Sequence, residues 1–123
     1  EIMINKSLKD LIENNALALA TSNKNNPHCI AVGFAKVLSK NQILITDNYM
    51  HTTPENIKDN SNIAIAVWNR DWEKDCKGYE LIGKAEYFTT GKYHEIIRQI
   101  PENKGLSCKG AILVTVKQVK RLA

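Results

Sequence analysis

Hydrophobic and polar positions follow the spacing of short β-strands along most of the chain, and only three segments have the spacing of helices. Turns rich in Asn, Pro and Ser separate the apolar segments, as expected between strands. The predicted strands are 16–22, 28–38, 42–47, 63–68, 78–89 and 111–119, and the predicted helices are 7–14, a segment beginning at Thr53-Pro54, and 92–99. The pattern predicts a mainly β protein of about six antiparallel strands with short helices at the edges, which suits a closed or nearly closed β-barrel.

Several of these elements carry finer expectations. Ser7 followed by Asp10 predicts a capping box at the start of the first helix. Segment 28–38 is predicted as one continuous strand, the middle member of an antiparallel meander. Segment 63–68 is apolar throughout, which predicts a strand buried on both faces. Gly83, inside a strand, predicts a β-bulge or a close approach of backbone or ligand.

Length and composition indicate one globular domain, residues 3–123. The chain has 123 residues, of which 43% are hydrophobic and 24% charged, and domains commonly have about 100–150 residues. No apolar run approaches the roughly 20 residues of a membrane span, and no secretory leader is recognisable, so we expect a cytoplasmic protein without a membrane partner. The net charge of +4 comes from scattered cations, which argues against nucleic acid as a partner.

The reactive side chains show no pattern of a metal site or a nucleophile. Cys29, Cys76 and Cys108 lie far apart without a C-x-x-C pair, so we expect free thiols and no metal. Cys29 lies in a predicted strand, where a small core residue is the simplest interpretation. No serine lies in a nucleophile-elbow motif. No catalytic residue is identified, and any chemistry would be carried by a cofactor.

The segment from Thr46 to Ile57 is the most informative in the chain. Thr53 is a good N-cap residue, and Pro54 suits the first helical position. A helix that begins there directs its free N–H groups toward the preceding residues, and such an end binds phosphate. His51, Thr52 and Thr53 would add side-chain donors. The alternative interpretation is a well-capped surface helix without a ligand.

A small aromatic and basic group lies between the fourth and fifth predicted strands. It contains Trp68, Asn69, Arg70 and Trp72. One interpretation is that these residues stack on a ligand or line the active cleft. The other, which we favour, is that Trp68 ends a core strand and Trp72 covers the edge of the core.

Four segments together resemble the pyridoxamine 5'-phosphate oxidase-like FMN-binding split barrels, and most closely the small FMN-binding members. The segments are residues 18–28, 50–57, 78–85 and 111–116, and their order and spacing cover nearly the whole chain. The resemblance implies a homodimer with flavin sites at the interface and an FMN ring that lies against the second strand. The implied cofactor-binding residues are Ile30, Ala31, Val32, Gly33, Phe34, Ile45, Thr46, Asp47, His51, Thr52 and Thr53.

One position departs from that family. The family usually has lysine followed by threonine where this chain has Thr52 and Thr53. A hydrogen bond to a charged group contributes roughly 1.5–3 kcal/mol, so loss of the lysine would weaken FMN binding by about tenfold to somewhat over a hundredfold. Lys36, Lys58 and Lys84 are candidate substitutes.

Three functions follow as hypotheses. The first is a flavoprotein that transfers electrons or hydride between an unknown redox partner and a small-molecule substrate. A true pyridoxamine-phosphate oxidase is disfavoured, since Arg121 is the only late arginine. The second is a split-barrel binding module that has lost FMN and holds haem, a deazaflavin or another ligand. The third, ranked well below, is an interaction or nucleic-acid-binding barrel.

Overall fold

The computed structural model describes residues 4–122. It contains three α-helices, a short 3-10 helix and seven β-strands in one sheet. Their bounds, in chain order, are α1 Lys6–Asn14, β1 Leu17–Asn23, β2 Asn26–Val32, β3 Ala35–Ser39, β4 Gln42–Asp47, α2 Thr52–Asp59, β5 Asn62–Trp68, β6 Gly78–Phe88, α3 Lys92–Arg98, the 3-10 helix Pro101–Asn103 and β7 Gly110–Arg121.

The sheet is rolled so that its two edges meet at a short link. The strand order is β2-β1-β5-β6-β7-β4-β3, and every neighbouring pair is antiparallel. The edge strands β2 and β3 are nevertheless consecutive in the chain, joined only by Gly33 and Phe34. Three peptide steps span at most about 11 Å. The edges therefore approach each other at this link without pairing, which is the geometry of a split barrel.

The predicted continuous strand 28–38 is wrong, and this accounts for seven strands where about six were predicted. The segment divides at the Gly33–Phe34 link into β2, which pairs with β1, and β3, which pairs with β4. The side chains that face the core also change there from even-numbered positions, such as Val32 in β2, to odd-numbered positions, Ala35 and Val37 in β3. The predicted meander is therefore two separate hairpins at opposite ends of the sheet.

The apolar core fills the interior of the rolled sheet, with α1 and α2 closing it. Ile12, Leu19, Ile65 and Leu81 are among its fully buried members. A smaller cluster around Ile97 packs α3 against β4 and β7. None of the helices in residues 4–122 is long and apolar enough to cross a membrane.

The N-cap of α1 and the burial of β5 differ from expectation. Asn5 caps the helix, since its side chain accepts a hydrogen bond from the N–H of Leu8 at 2.9 Å. Ser7 lies within the first turn, so the predicted capping box is wrong. Strand β5 is not buried on both faces, because Ala64 and Ala66 on its outer face are partly exposed. Both faces of β5 are apolar in the sequence because alanine, a small residue, is tolerated on a partly exposed face as well as on a buried one.

The expectation for Gly83 is confirmed. The pairing of β6 with β7 shifts register between Ile82 and Gly83. A Cβ placed on Gly83 would come within 2.2 Å of the backbone oxygen of Thr115, which no side chain tolerates. The strand crosses its neighbour here at a distance that only glycine allows.

The cysteines are all free, as predicted. Cys29, however, is exposed, because its strand position faces away from the core. Trp68 does end β5, but its side chain is 45% exposed and that of Trp72 is 51% exposed. The expectation that Trp72 covers the core edge is therefore wrong. Neither tryptophan lines the two cavities described below.

Candidate functional site

A cavity of about 670 Å³ opens where the two edges of the sheet meet. This volume lies within the range of small-molecule sites, about 300–1,000 Å³. Its walls come from the end of β2, the Gly33–Phe34 link, the end of β4, the start of α2 and the loop after α3. The lining residues are His28, Ile30, Ala31, Val32, Gly33, Phe34, Thr46, Asn48, Tyr49, Met50, His51, Thr52, Thr53, Glu102, Asn103 and Leu106. We refer to it as the first cavity.

Nine of the eleven predicted cofactor-binding residues line the first cavity. They come from the β2 end with its link, from β4 and from the start of α2, namely Ile30, Ala31, Val32, Gly33, Phe34, Thr46, His51, Thr52 and Thr53. The other two, Ile45 and Asp47, do not line it, because both side chains point into the protein and are fully buried. The cavity is therefore bounded by an edge strand on one side and a helix start on the other.

The helix start differs in detail from the predicted one. Helix α2 begins at Thr52, with His51 in the N-cap position and no side-chain cap. Thr53 is thus inside the helix, and the prediction that it is the N-cap is wrong. The N–H groups of Thr52 and Thr53 lie in the first turn, where no intrahelical acceptor is available, and Pro54 has no N–H. The positive end of the helix dipole still faces the first cavity.

The side chain of Thr53 carries an unpaired polar atom at this wall. Thr53 is 1% exposed, and its Oγ1 has no hydrogen-bond partner among the described residues. Leaving a buried donor unsatisfied costs about 1–3 kcal/mol, and such groups are rare in native proteins. Thr53 is also among the residues that line the first cavity, so a ligand group bound against this wall is a candidate partner for the hydroxyl.

Gly33 presents bare backbone to the first cavity. A Cβ at this position would have no heavy atom within 4 Å, so packing within the described chain does not require glycine. The residue also lies outside the left-handed region, so backbone conformation does not require it either. The missing side chain leaves room for a flat ligand to approach the backbone, as the resemblance implied.

Asp47 lies behind the loop that forms one wall of the cavity. One carboxylate oxygen accepts the backbone N–H of Met50 at 2.7 Å, and the other accepts the hydroxyl of Tyr87 at 2.6 Å. The Lys109 ammonium lies 3.9 Å from the carboxylate and also donates to the carbonyl of Met50. Burial raises the pKa of Tyr87, and its hydrogen bond to Asp47 and the charge of Asp47 raise it further. Asp47 therefore fixes the loop and does not face the ligand.

The cavity wall contains no lysine or arginine. The candidate substitutes Lys36, Lys58 and Lys84 all lie elsewhere. The titratable lining groups are His28, Tyr49, His51 and Glu102. Among residues 4–122, no three His, Cys, Asp or Glu side chains are placed to hold a metal ion. An anion here would be bound by neutral donors and the helix dipole.

Sequence reasoning missed seven lining residues, which fall into three groups. Asn48, Tyr49 and Met50 lie inside the segment singled out as informative but were given no role. His28, at the start of predicted strand 28–38, was given no role in binding. Glu102, Asn103 and Leu106 reach the cavity through the loop after α3, and no local motif marks them.

Comparison with known proteins gives consistent results. The family model described as pyridoxamine 5'-phosphate oxidase matches residues 4–123. An uncharacterized protein of Methanocaldococcus jannaschii is 29% identical over 128 residues, covering 98% of this chain and 82% of that protein. The crystal structure of HupZ from Group A Streptococcus is 26% identical with a TM-score of 0.87, covering 98% of this chain and 94% of that one. An FMN-binding protein from Syntrophomonas wolfei shares the fold, with a TM-score of 0.76 and 14% identity, covering 94% of this chain and 83% of that one.

Proposed function

The chain belongs to the pyridoxamine 5'-phosphate oxidase family, and from that premise we propose that it binds FMN in the first cavity and serves as an electron- or hydride-transferring flavoprotein. The observation that carries the proposal is the unpaired, buried Oγ1 of Thr53 on the wall of a cavity of suitable size. Bound FMN would supply reversible redox chemistry. The chain would supply position, hydrogen bonds and shielding from water.

The residues that are present fit the two ends of FMN. The phosphate would lie at the start of α2, where the N–H groups of Thr52 and Thr53 and the hydroxyl of Thr53 are available. The ring would lie against the backbone at Val32 and Gly33, where no side chain intervenes. Ile30 and Phe34 would provide apolar contact. The name of the Syntrophomonas wolfei protein supports a flavin as the ligand class for this fold.

We also propose a homodimer with the flavin sites at its interface. On the outer face of the sheet, the register aligns small apolar residues across β2, β1 and β5. One transverse row contains Ala31, Ala18 and Ala66, and the next contains Cys29, Ala20 and Ala64. A flat face of small residues suits close packing of a second sheet. Ala31 belongs both to this face and to the cavity wall, so a partner there would adjoin the ligand.

A titration with FMN tests the binding proposal. The purified chain is titrated into FMN while absorbance and flavin fluorescence are recorded, and riboflavin, which lacks the phosphate, serves as the matched ligand. We expect saturable quenching with FMN and weaker binding of riboflavin. Absence of quenching with either flavin would refute the cofactor assignment. Equal affinity for the two would refute the placement of the phosphate.

A test of redox function follows on the loaded protein. NADH and NADPH are added anaerobically in turn, and loss of the flavin absorbance is followed. Reduction by either donor supports hydride transfer. Size-exclusion chromatography with light scattering, with and without FMN, tests the dimer, and a monomer in both conditions would contradict it.

One observation favours a second candidate function. The wall of the first cavity contains no lysine or arginine, and the family's usual lysine is Thr52 here. A split-barrel binding module that holds haem, a deazaflavin or another ligand without catalysis would need no such lysine. Titration of haem and a deazaflavin under the same conditions separates the two, because tighter binding of either than of FMN would favour the binding module.

A further inference from the structure

Tyr49 is the most exposed large hydrophobic residue in the described part of the chain, at 69%, and it lies on the wall of the first cavity. Single exposed apolar residues are common on protein surfaces and need no function by themselves. Tyr49 differs from the exposed Trp68 and Trp72, because it lines a cavity of ligand size. The tryptophans line neither this cavity nor a second one, of about 710 Å³, between α3 and the loop that leads into β7.

The backbone on both sides of Tyr49 is fixed. Before it, the side-chain oxygen of Asn48 accepts the backbone N–H of Cys108 at 2.8 Å. After it, the backbone N–H of Met50 donates to the buried carboxylate of Asp47 at 2.7 Å, and the Met50 side chain packs against the main core. The loop therefore holds its shape before any ligand enters, so binding there costs little ordering of the chain.

The side chain of Tyr49 itself takes no part in these contacts. Within residues 4–122 it forms no hydrogen bond and no ring contact. It is also not among the residues that pack against either core cluster. A tyrosine side chain can be ordered on a ligand at low entropic cost, because it rotates about only two χ angles. A fixed backbone thus presents an uncommitted aromatic side chain to the first cavity.

The position of this loop suits one face of a flat ligand. The loop lies on the β4–α2 side of the first cavity, across from β2, where Gly33 presents bare backbone. A ring against that backbone would have one side toward β2 and the other toward the loop. Among the described residues that line the cavity, the only other phenyl or phenol ring is that of Phe34, in the link beside Gly33. Tyr49 is therefore the aromatic side chain that can cover the far side of the ring.

We propose that Tyr49 stacks on the flavin ring in the first cavity and thereby favours ligands that carry a flat aromatic ring. The proposal rests on the proposed flavin site, and it adds a residue that recognises the ring, whereas the start of α2 recognises the phosphate. Aromatic rings in offset contact gain free energy beyond that of the area they bury. The stacking would also remove the exposed face of Tyr49 and the open face of the ring from water.

Isothermal titration calorimetry with FMN and with riboflavin tests the stacking, because the two ligands share the ring and differ in the phosphate. The variants are Tyr49→Ala and Tyr49→Phe. The matched control is Trp72→Ala, which removes an exposed aromatic side chain that does not line the cavity. Circular dichroism establishes that every variant is folded.

The fluorescence lifetime of the bound flavin is the second readout. A tyrosine in contact with an excited flavin quenches its fluorescence by transferring an electron that then returns to the phenol. Phenylalanine gives up an electron far less readily, so Tyr49→Phe keeps the ring contact and removes the quenching group. The lifetime therefore reports contact with the ring, which a merely structural role of Tyr49 would not affect.

We expect Tyr49→Ala to weaken the binding of FMN and of riboflavin by the same factor, roughly fivefold to fiftyfold. Tyr49→Phe should bind both flavins within about twofold of the wild type, yet with a longer lifetime of the bound flavin. The control should match the wild type in both readouts.

Unchanged affinity of Tyr49→Ala for both flavins would overturn the stacking. A loss confined to FMN would also overturn it, because it would place Tyr49 at the phosphate, and so would an equal loss in Trp72→Ala. In each of these cases the wild type still binds FMN, so the stacking alone is refuted. A wild-type chain that binds neither flavin would instead refute the flavin site and the stacking together.

Discussion

The hydroxyl of Thr53 allows a prediction in which stability and affinity change in opposite directions. The perturbation is Thr53→Val, which replaces the buried, unpaired Oγ1 by a methyl group of similar size. Valine and threonine are both β-branched and have similar helix propensities. The change therefore removes a polar atom from a site where it has no partner and leaves the packing in place.

The magnitudes follow from the burial of that atom. An unsatisfied buried polar group costs about 1–3 kcal/mol, so the ligand-free variant should be more stable than the wild type by about that amount. For a chain of this size this corresponds to a rise in Tm of roughly 4–12 °C. A hydrogen bond from the hydroxyl to a phosphate oxygen contributes about 1.5–3 kcal/mol, so FMN binding should weaken by roughly tenfold to a hundredfold or more.

Urea unfolding without ligand and fluorescence titration with FMN measure the two effects. Thr52→Val is the control for stability, because Thr52 is the preceding residue of the same helix but is exposed, and its unfolding free energy should change by less than about 0.5 kcal/mol. A Thr53→Val variant that is less stable than wild type and binds FMN with unchanged affinity would refute the reasoning. The hydroxyl would then be satisfied in the free protein and would take no part in binding.

Three further predictions concern other parts of the site. Gly33→Ala should leave the unfolding free energy unchanged or raise it by up to about 1 kcal/mol, because the added Cβ meets open space. The same change should weaken FMN binding in a fluorescence titration, and an unchanged affinity would exclude a flavin ring against this backbone. Tyr87→Phe should lower the unfolding free energy measured in urea by about 1.5–3 kcal/mol, because the change removes the 2.6 Å hydrogen bond to the fully buried Asp47. An unchanged unfolding free energy would mean that the carboxylate is satisfied without the tyrosine hydroxyl. The pKa of Tyr87 is raised above its usual value of about 10, so as pH rises the unfolded chain loses the phenol proton before the folded chain does. The stabilisation by this hydroxyl is therefore complete below pH 10 and should decline as the pH rises above 10. Urea unfolding in alkaline buffers should show a steeper decline of the unfolding free energy for wild type than for Tyr87→Phe.

The start of α2 shows what a local motif can establish and what it cannot. Thr53-Pro54 predicted the start of a helix, and a helix is present there, with its first residues on the wall of the first cavity. The predicted first residue of the helix was wrong, because the N-cap is His51 and the helix begins at Thr52. Tertiary packing then buries Thr53, and burial of one hydroxyl is invisible in a motif that reads only residue types.

The division of segment 28–38 could not be predicted from periodicity alone. Ile30, Val32 and Phe34 continue one alternation across the link, and beyond the link only Lys36 on the same phase contradicts it. The change occurs because β2 and β3 pair with different strands at opposite edges of the sheet, which is a property of the whole fold. The loop 102–106 is a similar case, since its place at the cavity depends on Asn103 reaching β4.

The Gly33–Phe34 link has a consequence for local opening of the protein. Every pair of neighbouring strands in the sheet is held by a ladder of backbone hydrogen bonds, whereas β2 and β3 share no ladder and are joined only by the Gly33–Phe34 link and by packing of side chains such as Val32 and Ala35 in the common core. We therefore expect the barrel to open most readily here, with amide hydrogen exchange along the unpaired edges of β2 and β3 faster than along β6. Val37 is the exception at the β3 edge, because its N–H donates to the carboxylate of Glu13 at 2.8 Å. A ligand that filled the first cavity would contact both the β2 side and the β4–α2 side of that opening, because residues of both line it. The binding free energy of the ligand would therefore add to the free energy needed to open the barrel between β2 and β3. Amide hydrogens along these two edges should then exchange more slowly in the ligand-bound protein than in the ligand-free protein.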